Sequence, residues 1–139
     1  MAAFEIHIQG HKHAQDDYSP EVCAKAAVWI QKATEGDKDT LLSAIMAGLP
    51  GAFDRYDIAG LREALTQYDD VDRATLRSNY KRFPQEVVLT AQDLGMRLCV
   101  QPDDPLRDTL GLPRIVSDCE DISWIMQAVD TCANGLTLC

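Results

Sequence analysis

The stretch "AFEIHIQG", residues 3–10, decides whether this chain reads as all-helical or as a mixed fold. Phe4, Ile6 and Ile8 alternate with Glu5, His7 and Gln9, the period of a half-buried strand, and Gly10 breaks the pattern. A second alternating stretch, "MRLCVQP" (96–102), sets Met96, Leu98 and Val100 against Arg97, Cys99 and Gln101. The expected sheet is small and two-stranded, pairing residues 3–9 with 96–101.

Around these strands the apolar spacing turns helical. Ser19 with Pro20 is a helix start, followed by Val22, Ala26, Trp29, Ile30 and Ala33 on one face, with Gly36 placed to end it. Asp37 or Asp39 caps a second helix, whose stripe is Leu41, Leu42, Ile45, Met46 and Leu49 before Pro50-Gly51. Asp57 caps a third, through Ile58, Leu61, Leu65 and Tyr68. Residues 69–83 read as a fourth helix and 84–95 as a fifth, divided at Pro84 because proline lacks the amide an interior turn needs. Gly95 is its stop. Ser117 and Glu120 form a capping box for the last helix, with Ile122, Ile125, Met126 and Val129 inward and Asn134-Gly135 at its end. The expected fold is α+β and predominantly helical, with about five to seven short helices. At 139 residues it is expected to form one compact domain over 1–139.

Charge and cysteine usage narrow the function. Thirteen Lys and Arg stand against 22 Asp and Glu, a formal net of -9 that repels phosphate backbones and anionic membranes. Direct nucleic-acid or membrane binding is not expected. The five cysteines, Cys23, Cys99, Cys119, Cys132 and Cys139, form no C-x-x-C pair. "MAAFEIHIQG" has no charged leader or apolar signal core, and runs such as "AAVWI" are too short to span a bilayer. A reducing, cytoplasmic setting is expected, with Cys23, Cys132 and Trp29 as core residues.

Two stretches carry candidate chemistry. All three histidines, His7, His11 and His13, fall in one segment, with Asp16 and Asp17 close behind. Two imidazoles and a carboxylate are a chemically sound zinc set, here His11, His13 and Asp17 or Asp16, with water in a fourth place. The competing reading is a polar turn, because residues two apart diverge on a strand. The second stretch is "RATLRSNYKRF" (73–83), where Arg73, Arg77 and Lys81 share a helix face beside Tyr80, Arg82 and Phe83. Guanidinium forks there suit a phosphate, a carboxylate or an acidic partner loop. Against that, the same charges can pair with Asp69, Asp70, Asp72 and other acidic elements of their own domain. No glycine-rich phosphate loop appears, and no cysteine or serine has an oriented histidine partner, so no catalytic residue is assigned. Asp103 with Asp104 is the nearest to an acid–base pair, and its place before Pro105 argues for a solvated loop.

These observations favour a small, acidic, non-enzymatic module that binds another protein, in the manner of a phage anti-defence inhibitor or a toxin-neutralising immunity protein. It would work by covering a basic target surface, with Arg73, Arg77, Tyr80, Lys81 and Arg82 at the contact, no cofactor and a homodimer compatible with its size. The alternative is a small metal-dependent enzyme or zinc-binding domain built on His11 and His13.

Overall fold

A computed structural model of the chain describes residues 1–47 and 56–137, and within it the chain forms two compact units, Met1–Asp69 and Asp70–Cys139. The first unit opens not on a strand but on a π-helical segment, Phe4–Gln9, ended by Gly10 at φ 69°. The buried residues are Phe4, Glu5, Ile8 and Gln9, a helical spacing. Phe4 and Ile8 are two residues of the alternating set and also an i, i+4 pair, so six residues fit both periods and tertiary contacts decide. Those contacts come from Arg62, whose guanidinium donates to the carbonyls of Gln9 (3.0 Å) and Ile8 (2.5 Å), and from Tyr18, whose hydroxyl donates to the buried Glu5 carboxylate.

Among the described residues, three α-helices complete this unit. Helix α1 spans Pro20–Lys32 and α3 spans Ile58–Thr66; each begins at the expected cap, with Val22 N donating to Ser19 Oγ and Gly60 N to Asp57 Oδ1. Helix α2, Glu35–Ala47, starts earlier than expected. Thr34 and Asp37 cap it reciprocally: Asp37 Oδ2 accepts from Thr34 N and Oγ1, while Asp37 N donates to Thr34 Oγ1. Gly36 therefore lies in the first turn of α2 and does not stop α1. Trp29, expected in the core, is 38% exposed. Leu49 and Pro50-Gly51 lie outside the described residues.

The second unit is built on α4, Arg73–Asp93, which runs unbroken through Pro84. Leu76, Tyr80, Pro84, Val88 and Ala91 lie on its inward side at successive steps of three or four residues. The stripe stays in phase across the proline, whose ring is buried on the inward side although it removes one ladder bond. Gly95 ends the helix at φ 69°, as expected, with Met96 N donating to Ala91 O. Strand β1, Leu98–Val100, then pairs in parallel with β2, Asn134–Leu136, and α5, Cys119–Ala128, forms the crossover. The register sets Leu98 beside Asn134, Cys99 beside Gly135 and Val100 beside Leu136. The fold class is as expected, mostly helical with a small two-stranded sheet, but 134–136 takes the place assigned to 3–9.

Asn134-Gly135 does not terminate α5 in sequence. The buried Asn134 side chain nevertheless donates from β2 to the carbonyls of Ile125 (2.9 Å) and Val129 (3.1 Å), so it serves the end of α5 through space. The core of the unit is Ile115, Val116 and Ile125, packed by Leu76, Tyr80, Val100, Trp124 and Leu136. Among the described residues no helix is long and apolar enough to cross a membrane. Ile125→Ala should lower stability by about 3 kcal/mol in urea unfolding, since Ile125 is fully buried. Phe83→Ala, at a side chain 64% exposed, should change it by no more than about 0.5 kcal/mol.

Candidate functional site

The basic face of α4 does not stand free. Arg73 Nη2 donates to both oxygens of Asp121, at 2.7 and 2.6 Å, and Arg77 Nη2 donates to Oδ1 at 2.5 Å. Asp121 is wholly buried in the first turn of α5, where the helix end favours negative charge. It also accepts from the Ser117 amide at 3.0 Å. Burial pushes its carboxyl up, but the Ser117 amide and the Arg77 and Arg73 guanidinium groups outweigh that and hold it below the usual carboxylate range. Arg73 is raised in turn, first by its hydrogen bond to Asp121. The Arg77 guanidinium lies 5.2 Å from the centroid of the Trp124 ring, and Tyr80 meets the same ring at 6.0 Å and 55°. Of the five residues expected at a contact surface, Arg73, Arg77 and Tyr80 are thus engaged within their own unit, while Lys81 and Arg82 are exposed. Asp72 is occupied in capping α4, through Thr75 N.

The capping residue of α5 is Asp118, which accepts from Asp121 N at 2.8 Å, one step along from the expected Ser117 box. That shift turns Ser117 toward a second carboxylate. Asp103 lies just past the carboxyl end of β1, and its Oδ2 accepts from Val116 N (2.7 Å) and Ser117 Oγ (3.2 Å). Its Oδ1 faces Arg114 Nη1 at 3.3 Å, and its own amide donates to Val116 O at 3.0 Å. Residues 103–116 therefore form a loop closed at its neck. Inside it, Thr109 and Leu112 bridge across a two-residue turn with Leu110 at φ 59° and Gly111 at φ 80°, and Arg114 N donates to Asp108 Oδ1. The expectation of a solvated carboxylate pair holds for Asp104, which is exposed, but not for Asp103, whose side chain is 15% exposed.

The histidine segment is a turn closed by local pairs. His13, at φ 65°, places Nδ1 3.2 Å from Asp16 Oδ2, whereas His11 faces Gln9 Oε1 at 3.3 Å and Asp17 Oδ2 at 3.7 Å. The two imidazoles thus engage different carboxylates. Among the described residues no three His, Cys, Asp or Glu side chains converge to hold a metal ion. Cys23, Cys99, Cys119 and Cys132 are free thiols, and Cys132, expected in the core, is exposed in the turn before β2. Cys139 lies outside the described residues.

The Asp121 cluster makes a pH-dependent contribution to stability. Its folded pKa is lowered, so the contribution is complete above the unfolded value, about 3.9, and is lost as pH falls through the folded value. Asp121→Asn should cost about 3 kcal/mol at neutral pH, the low end for a broken buried pair, because Arg73 is 43% exposed. In urea unfolding followed against pH, that cost should shrink below about pH 4.

Comparison with known proteins bears on what these features serve. A family model described as D-mannonate dehydratase (UxuA) matches residues 10–139. A mannonate dehydratase of Marinomonas sp. is 44% identical over all 139 residues, and one of Chromohalobacter salexigens is 39% identical over the same span. In each case the match covers 36% of the relative, so the chain spans about a third of the length of these curated relatives. The comparison overturns the expected non-enzymatic inhibitor and its basic protein partner: the relatives carry an enzyme's name along the whole chain, and the enzymatic alternative is the better supported reading. The chain belongs to the D-mannonate dehydratase (UxuA) family.

Proposed function

We propose that this chain contributes to the substrate site of a sugar-acid dehydratase, and that its share is the loop 103–116 at the carboxyl end of β1. The observation that carries the reading is the β1–α5–β2 crossover with its parallel register. In parallel α/β arrangements, ligands bind beyond the carboxyl ends of the strands. The loop that leaves β1 there is rich in carboxylate and guanidinium groups: Asp103, Asp104, Arg107, Asp108 and Arg114.

The relatives' name supplies the substrate class, a polyhydroxy acid such as D-mannonate. Removing water from such a molecule takes a proton from the carbon beside the carboxylate and a hydroxyl from the next carbon. The site therefore needs a base, an acid, and polar groups that fix the chain of hydroxyls. Exposed carboxylates accept from sugar hydroxyls, and guanidinium groups match the substrate carboxylate. A divalent metal, zinc in the alternative drawn from the sequence, is compatible with the family. The histidine turn does not fit it, since His11 and His13 pair with separate aspartates and no three candidate ligands converge among the described residues.

Titrating the isotopically labelled chain with D-mannonate tests the reading. Amide signals of residues 101–117 should shift in a saturable way while those of α1 and α3 stay in place. A parallel incubation with Mg²⁺, Mn²⁺ or Zn²⁺ checks by mass spectrometry for a product lighter by one water. The absence of both saturable shifts and a dehydrated product would refute the assignment.

A further inference from the structure

Asp103 and Asp104 are chemically identical neighbours that the fold treats in opposite ways. The Asp103 carboxylate is turned inward, where it meets Val116 N, Ser117 Oγ and Arg114 Nη1, and its backbone amide closes the neck from the other side. Ser117 joins this neck to the buried cluster, because its amide donates to Asp121 while its hydroxyl donates to Asp103. The Val116-Ser117 pair is thus gripped between two carboxylates, one at the start of the loop and one in the first turn of α5. Asp104, one residue on, is exposed at the same strand end. Leu110, inside the loop, adopts a left-handed conformation that costs a non-glycine residue energy, and the residue is only 5% exposed.

We infer that Asp103 is a positioning residue, the clamp that holds loop 103–116 in one shape, and that Asp104 is the carboxylate of the pair that meets the ligand. The clamp stands on the loop geometry alone. The ligand facing Asp104 rests on the sugar-acid reading above and belongs to the same class, a polyhydroxy carboxylate whose hydroxyls donate to it. A loop whose shape is fixed before binding spares the complex the entropy of ordering it, so loss of the clamp weakens binding without altering the bound geometry.

The test uses the whole chain with Asp103→Asn, Asp103→Glu and Asp104→Asn, read by amide hydrogen exchange and by titration with D-mannonate. In Asp103→Asn, exchange at Val116 and Arg114 should quicken at least about tenfold while Leu98 and Thr137, bonded in the sheet, stay within about twofold. Mannonate affinity should fall about tenfold, with the shifts at saturation unchanged. Asp103→Glu, which keeps the charge, should recover most of both effects. Asp104→Asn should leave exchange as in the parent chain and abolish the mannonate shifts at residues 101–106.

Unchanged exchange at Val116 in Asp103→Asn overturns the clamp, and undiminished mannonate binding in Asp104→Asn overturns the division of roles. If the parent chain gives no mannonate shifts at all, the sugar-acid reading and the role of Asp104 fall together. The exchange data then decide the clamp by themselves.

Discussion

One buried carboxylate organises the second unit. Asp121 has no access to solvent, and a charge taken out of water without partners costs several kcal/mol. Two guanidinium groups from α4 and one backbone amide answer it. α4 and α5 are thereby favoured in the register that brings Arg73 and Arg77 to Asp121. The same register sets Arg77 over Trp124 and Tyr80 against the ring, so the apolar packing beside the ion cluster follows from the electrostatic requirement.

From that point the order spreads along the chain in short steps. Asp121 holds Ser117, Ser117 reaches Asp103, and Asp103 ties the two ends of a loop that starts where β1 stops. Asn134 returns from β2 to the last carbonyls of α5, so both ends of that helix are anchored by residues that also belong to the sheet or its loops. The crossover therefore carries its own supports, and the loop at its strand end is fixed in shape by hydrogen bonds at its neck.

The first unit shows how little a short pattern can decide. Phe4, Ile6 and Ile8 alternate cleanly, yet the segment is helical because Phe4 and Ile8 also lie one turn apart and Arg62 satisfies the carbonyls at its end. Arg62 lies more than fifty residues away, beyond the reach of any local rule. Pro84 gave the opposite error. A proline that usually opens a helix sits inside one, since the apolar stripe remains in phase on both sides of it. The misreading of function had a similar root. An acidic chain with no motif resembles a binding module when taken alone, and only likeness to the D-mannonate dehydratase family overturned that reading.

What the sequence determined by itself was local: the caps at Ser19 and Asp57, the stop at Gly95, the strand around Leu98–Val100 and the helical bias of the whole. The caps and the stop are set by interactions within about five residues, so residue type and spacing suffice to reveal them, whereas the strand was legible as an alternation but took its partner from residues 134–136. The tertiary structure alone decided what the charges do. Arg73 and Arg77 find their carboxylate more than forty residues on, Asp103 closes on Val116 and Ser117, and His11 and His13 part toward different aspartates. Charge is felt through space and carries no periodicity along the chain, so its pairing becomes readable only once packing has brought distant residues together.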